Sequence, residues 1–472
     1  MNAEFEIARR TFLSQSFAGV GSLALASLAA GQASGATNAA HPWPSQKGLP
    51  HFAPRAKRLL HLCMAGGPSQ FESLDPKPEL DRLDGQPFPE SFTKGEQLAQ
   101  LQNKPLIARK SIAEFKKIGQ SGIEWSNLFP RTGKHVDDLC IIRSMTTEQI
   151  NHDTAHAFLN SGSIIKGRPS MGSWLLYGLG AETENLPGYV VMSSSGPGSQ
   201  PISARQWSAG FLPSRYQGVQ FQASGAPVHY IDNPRGIDRA TQRELIDEIR
   251  RLNVGMQKRV VDPEIDTRIA QYEMAFRMQA AIPELTDMRD ESATTIKAYN
   301  IKSPGDGSYA SNCLLARRLL ERGVGIVQLY HRGWDHHSSL ERDFKKSARD
   351  TDQATAALLS ELKSRGLLED TLVIWGGEFG RTPMAQGTGR DHHINSFSIW
   401  MAGAGVKPGI VYGATDELGY RAVEDVVSVH DLHATLLHLF GIEHHRFTYP
   451  FQGLDLKLSG VEPAHVVKSI IS

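Results

Sequence analysis

A chain of 472 residues with 50 basic and 50 acidic side chains carries no net formal charge, and 40% of its residues are hydrophobic. Such a balance creates no global field for nucleic acid or an anionic membrane surface, so neither is expected as a partner. The length suffices for one large α/β core or for two domains, and by itself does not choose between them.

At the N-terminus, Arg9-Arg10-Thr11-Phe12-Leu13 precedes a Gly- and Ala-rich apolar run from Phe17 to Ala30, with small-residue cleavage sites near Ala33, Ala36 and Ala40. This has the form of a twin-arginine export signal, and it places the protein in the periplasm or outside the cell. The run is too short and too rich in small residues for a membrane span, so residues 1–40 are read as signal and linker and no integral span is expected in the mature chain. Cys63, Cys140 and Cys313 sit in apolar contexts without zinc-knuckle spacing and read as buried thiols.

The mature fold, residues 55–472, is expected to open with a strand from Arg58 to Met64 that runs into the turn Ala65-Gly66-Gly67-Pro68-Ser69-Gln70. Asp75-Pro76-Lys77-Pro78 forces an extended segment, because a residue before proline avoids the helical region. A second strand spans 138–145. A helix from Asp153 to Ser161 follows, with Ala155, Phe158 and Leu159 on one face and Gly162 as its stop. A third strand covers 186–192, and the Gly-, Ser- and Pro-rich stretch 193–203 is a long loop. Between 241 and 290 apolar residues such as Leu245, Ile249, Leu252 and Met256 recur at helical spacing within a charged background, the pattern of a helical insertion or cap.

Helix and strand then alternate: a helix at 312–322, a strand ending at Tyr330, a helix at 349–365 and a strand ending at Trp375. This rhythm implies right-handed crossovers and a parallel sheet. A last helix runs from Asp431, with Gly441 as its cap.

Chemistry concentrates after those two apolar strands. Ten of the 18 histidines lie between His331 and His445. The motifs are His331-Arg332-Gly333-Trp334-Asp335-His336-His337, Gly377-Glu378-Phe379-Gly380-Arg381-Thr382-Pro383 and Gly389-Arg390-Asp391-His392-His393. Mixed imidazole and carboxylate sets suit divalent ions, and the C-terminal edge of a parallel sheet is where ligands bind. Asp335, His337, Glu378 and His392 are therefore the candidate metal ligands, with Zn, Mn or Ca as the ion. Arg381 and Arg390 are candidate oxyanion binders, against the alternative of carboxylate-paired arginines. His152 and His156, four residues apart, share a helical face that suits a metal.

Together with Gly66-Gly67-Pro68-Ser69-Gln70, Asp75-Pro76-Lys77-Pro78 and Asp431-Leu432-His433-Ala434-Thr435, these motifs resemble the DUF1501 family, a sulfatase-like branch of the alkaline phosphatase superfamily. The resemblance spans nearly all of the mature chain. It implies a doubly wound three-layer α/β/α sandwich and metal-dependent cleavage of a phosphate or sulfate ester, on an anionic small molecule or a polysaccharide. It also implies departures. Glu378-Phe379 stands where an Asp-His pair is usual. The first strand lacks a terminal aspartate, so that Glu72 or Asp75 would have to reach back. The nucleophile region holds His152 and Thr154 as candidates. No cysteine has a proline two residues on, which excludes a formylglycine sulfatase. The competing expectation is a catalytically degenerate relative that binds a glycan or a partner protein through the same cleft.

Overall fold

A computed structural model describes residues 43–472 apart from 97, 195–199, 223–226, 229–232, 234–235 and 258–262. The twin-arginine segment and the centre of the 193–203 loop lie outside the described residues.

Strand β1 (Arg58–Met64) is buried almost throughout, as an apolar run between two partners must be. After a long excursion come β2 (Leu139–Thr146), α1 (His152–Ser161), α2 (Met171–Leu179), β3 (Tyr189–Ser193) and β4 (Val219–Phe221). Helix α1 ends where Gly162 adopts φ 65° and returns its N–H to the Phe158 carbonyl at 2.8 Å, a left-handed position that glycine fills without strain. The charged stretch forms two helices, α3 (Arg239–Gln257) and α4 (Pro263–Thr286). Next are α5 (Tyr309–Glu321), β5 (Ile326–His331), α6 (Leu340–Ser364), β6 (Thr371–Gly376), a hairpin of β7 (Gly380–Gln386) and β8 (Gly389–His393), then β9 (Phe397–Ala402), β10 (Ile410–Tyr412), β11 (Val427–Ser428) and α7 (Val429–Leu439).

The nine-stranded sheet runs β10-β2-β9-β6-β1-β5-β3-β4, with β11 also paired to β2. Only β9 opposes its neighbours; the other pairings are parallel. The path from β4 through β5 to β6 and the path from β2 back to β3 travel in opposite senses across the sheet, so right-handed crossovers place their helices on opposite faces. Side chains agree. Arg317 of α5 reaches Glu361 of α6 at 3.2 Å on one face, and His433 of α7 contacts the Leu159 carbonyl of α1 at 2.8 Å on the other. The result is a three-layer mixed α/β fold around a mostly parallel sheet. One apolar cluster extends from Trp43 to Ile470.

Three boundaries differ from expectation. Helix α6 starts at Leu340 rather than near Arg349, because Leu340, Phe344 and Ala348 are buried at four-residue spacing beneath a charged exterior that masks them in the sequence. Helix α7 has Phe440 at its C-cap, and Gly441 (φ 75°) lies one residue beyond. The Gly-rich motifs around Arg381 and Arg390, for which no strand was expected, pair as β7 and β8.

Candidate metal centre

The site forms where β1, β5 and β6 end together. Met64 pairs with His331 and Cys63 with Gly376, so the segments that follow each strand emerge side by side. Gly66, at φ 120°, lets the β1 turn press against the β5 turn; a Cβ there would fall 2.4 Å from the Asp335 nitrogen. The β7–β8 hairpin closes the third side. Its register sets His392 opposite Arg381, and a bulge between Arg390 and His392 turns the histidine toward Asp335 while Asp391 accepts a hydrogen bond from Leu101 N at 2.8 Å.

Two overlapping groups result, joined by His152. In the first, Asp335 Oδ1 lies 3.0 Å from His337 Nε2 and 3.3 Å from His392 Nε2, and these two imidazole nitrogens are 2.9 Å apart. In the second, Glu378 lies 2.6 Å from His152 Nδ1 and 3.3 Å from His156 Nε2, and it accepts the Gly66 N–H at 3.0 Å. His152 Nε2 stands 3.1 Å from Asp335 Oδ2.

The far side of each imidazole determines what the near side offers. His392 Nδ1 meets the Ile150 carbonyl at 2.7 Å, and His337 Nδ1 meets Gln386 Oε1, whose amide nitrogen donates to Gln100 Oε1 at 2.7 Å. Facing acceptors, both Nδ1 atoms carry the proton, so both Nε2 atoms present lone pairs. Burial also lowers the His392 pKa and favours its neutral form. Two lone pairs and a carboxylate oxygen thus converge on one point, a repulsive arrangement that a cation relieves. Backing of each ligand histidine by an acceptor is the support that metal sites use. A further sign is His156, which is fully buried and has no hydrogen-bond partner for either ring nitrogen among the described residues. The residues therefore fit a divalent ion.

Charge in the site is tightly held. Burial would raise the Asp335 carboxyl, but the hydrogen bond from His152 and the charge of Arg381 hold it far below the usual carboxylate range. Glu378 is fully buried, which would also raise it, yet His156, His152 and its hydrogen bonds bring it down to about 2. His152 is raised to about 9: burial opposes its charge, and the hydrogen bonds to Asp335 and Glu378 outweigh that.

Of the residues singled out in the sequence, Asp335, His337, His392, His152 and Glu378 meet, with Glu378 beside His152 and His156 rather than beside His337 and His392. Thr154 stands apart, its hydroxyl donating to the Asn151 carbonyl at 3.0 Å. Arg381 is 1% exposed and donates to Gly67 O at 2.9 Å, Arg390 O at 3.2 Å, Gly66 O and Asp335 Oδ1 at 2.6 Å. Arg390 donates to Glu72 Oε1 at 2.9 Å and to three carbonyls, those of Arg109, Lys110 and Thr382, and covers the Phe71 ring. Glu72 and Asp75 do not reach back to the cluster. The first is held by Arg390, and the second by Lys77 at 3.1 Å and Thr415 at 2.5 Å. Sequence reasoning missed Gln386, the Ile150 carbonyl and the Gly66 N–H, for which only the hairpin register and the strand-end juxtaposition give a signal.

The sequence profile described as "Protein of unknown function (DUF1501)" matches residues 56–471. The chain belongs to the DUF1501 family. Its three motif-bearing segments lie inside the matched span. No curated protein matches the sequence. Among solved structures, this DUF1501 protein is similar to the PsFucS1 sulfatase from Pseudoalteromonas sp., at 11% identity over 82% of this chain and 68% of that chain, with a TM-score of 0.33. It is also similar to a protein in the alkaline phosphatase superfamily from Vibrio parahaemolyticus, at 9% identity over 83% and 68% of the two chains, TM-score 0.36. A third is the alkaline phosphatase from the Antarctic bacterium TAB5, at 12% identity over 76% and 94%, TM-score 0.30. No helix among the described residues is long and apolar enough to cross a membrane.

Proposed function

We propose that this chain is an exported, metal-dependent hydrolase-like protein that acts on a phosphate or sulfate ester, carried by an anionic small molecule or a polysaccharide. The observation that carries the reading is the convergence of His337 Nε2, His392 Nε2 and Asp335 Oδ1, each imidazole backed by an acceptor on its far side. Three protein ligands that leave a coordination position open are the pattern of a catalytic rather than a structural site, and two imidazoles with one carboxylate suit zinc better than calcium. A bound divalent cation would supply neutralisation of the ester anion.

The chain's own residues do the rest. Arg381 fixes Asp335 from behind. Glu378, itself held by the Gly66 N–H, orients His152, whose raised pKa keeps a proton on a ring that faces Asp335. We assign His152 the role of passing that proton to a leaving oxygen. Thr154 would become a nucleophile only by leaving the Asn151 carbonyl. The twin-arginine motif supports export to the periplasm or beyond.

A second reading, a degenerate relative that binds a glycan or protein in the same cleft, is favoured by one observation: Glu72, Asp75 and Thr154, the side chains nearest the expected first-strand ligand and nucleophile positions, are all bonded elsewhere. Elemental analysis of the purified protein and of an Asp335→Ala, His337→Ala double variant separates the two. Stoichiometric metal in the native protein, lost in the variant, supports the hydrolase and justifies a screen of phosphate and sulfate esters. Absence of metal in both after loading with excess Zn, Mn and Ca would leave the binding reading.

A further inference from the structure

We infer that Gln100 binds the substrate, its side-chain amide donating a hydrogen bond to a non-bridging oxygen of the ester at the centre formed by Asp335, His337 and His392. The inference rests on the metal-centre reading above and adds to it a residue that lies outside the three motifs.

Its neighbour in the chain holds Gln100 in place. Leu101 is 3% exposed, packs in one apolar cluster with Phe88, Met384 and Tyr420, and donates its N–H at 2.8 Å to Asp391, the residue before His392. Gln100 itself is exposed, so its amide is open to a guest. Three side chains in series then set which end of that amide faces the site. His337 Nδ1–H donates to Gln386 Oε1, so Gln386 presents its Nε2, which donates to Gln100 Oε1 at 2.7 Å. Gln100 is left with its Nε2 toward the centre, 3.5 Å from His337 Nε2 and with no other partner among the described residues. Turned the other way, its NH2 group would stand against that of Gln386, donor against donor.

A separation of 3.5 Å is at the outer limit of hydrogen bonding. The amide hydrogens of Gln100 therefore approach, without satisfying, the lone pair that the metal-centre reading gives to a cation. Those hydrogens carry partial positive charge, and beside a cation they repel it unless an anionic oxygen stands between. With Oε1 taken by Gln386, Gln100 offers the site donors alone. Such a group favours an oxygen that accepts and is charged, as the non-bridging oxygens of phosphate and sulfate esters are, over a neutral hydroxyl.

The probes are inorganic phosphate and sulfate, titrated calorimetrically into the zinc-loaded full-length protein, with zinc affinity measured separately by competition against a chromogenic chelator. Gln100→Leu should weaken both anions about tenfold or more, the worth of one hydrogen bond to a charged group, and leave zinc affinity unchanged. Gln100→Glu sets a carboxylate where the amide stood, and should raise zinc affinity and abolish anion binding. Neither change threatens the fold, because the position is exposed. Native anion affinity in either variant, or no anion binding by the zinc-loaded native protein, would overturn the inference. A drop in zinc affinity in Gln100→Leu would overturn it too, because Gln100 would then be a ligand. The two readings fail differently: a native protein that takes up no zinc removes the metal centre and this inference together, whereas zinc lost in His337→Ala beside native anion affinity in Gln100→Leu removes this inference alone.

Discussion

Gln386 offers the sharpest test of the proposed metal centre, because it is not itself a proposed ligand and still controls one of them. It closes β7, is half-buried, and stands with its amide oxygen on His337 Nδ1 and its amide nitrogen on Gln100. Gln386→Leu keeps the size and the β7–β8 pairing but removes the acceptor that fixes the His337 tautomer. Removal of such a support lowers metal affinity by about 10- to 100-fold, or about 1.4–2.7 kcal/mol. The metal-free fold loses only hydrogen bonds at a half-exposed position, about 1 kcal/mol. Gln386→Glu retains the acceptor and should match or exceed the native affinity. The assay is competition for zinc against a chromogenic chelator, paired with denaturant melts of chelator-treated protein. Unchanged zinc affinity in Gln386→Leu, alongside loss in His337→Ala, would refute the argument that the backing acceptor sets the lone pair. Equal weakening by Gln386→Leu and Gln386→Glu would refute it too.

Arg381→Met should lower the stability of the metal-free protein by about 3–5 kcal/mol, because it leaves Asp335 without its buried partner and frees three carbonyls; an unshifted denaturant midpoint would contradict this. Gly66→Ala combines a positive φ with a Cβ driven onto the Asp335 backbone, and should destabilise by about 2–4 kcal/mol in thermal or chemical melts. Acid should destabilise the fold before the carboxylates titrate. Burial depresses His61 to about 3 and His331 and His433 to about 4, each below the unfolded value of 6.5, so the unfolded chain takes up these protons first. Their contribution is complete above pH 6.5 and is lost as pH falls toward 4, by about 2 kcal/mol per histidine at pH 5. Denaturant midpoints that do not move between pH 7 and pH 5 would rule this out.

The sheet was legible because its strands are apolar runs bounded by turn residues: 58–64 and 371–375 read correctly almost to the residue. So were the metal candidates, since Asp335 and His337 follow such a run directly. Illegible was anything that depends on pairing between distant segments. β9 runs antiparallel in the middle of a parallel sheet, and no local pattern announces direction. The β7–β8 hairpin contains Pro383, three glycines (Gly380, Gly387 and Gly389) and charged residues inside, a composition that argues for a loop. It is a hairpin because Arg381 and Arg390 find buried carbonyl and carboxylate acceptors on other segments. Glu378 was legible as a candidate ligand but not in its company, because the choice between His392 and His156 is made by where α1 docks. For His61, burial inside β1 keeps the ring neutral, and Gln328 of the neighbouring strand donates to its Nδ1 at 3.0 Å.

The two arginines bear on the choice between hydrolase and binding protein. An ester anion entering the cleft needs positive charge. Arg381 and Arg390 are buried and already donate to carbonyls and to Asp335 or Glu72, so freeing either would break an ion pair, with Glu72 left as a buried unpaired carboxylate in the second case. His152 is charged, but Glu378 and Asp335 flank it, and the three together carry one net negative charge that Arg381 just balances. In the metal-free state this cluster therefore has no surplus charge with which to attract an anion. A divalent ion on Asp335, His337 and His392 changes the sum to plus two at the point where the lone pairs already converge. Anion affinity and metal content should consequently rise and fall together, and binding of phosphate or sulfate in this cleft after removal of the ion would be incompatible with the charge arrangement described.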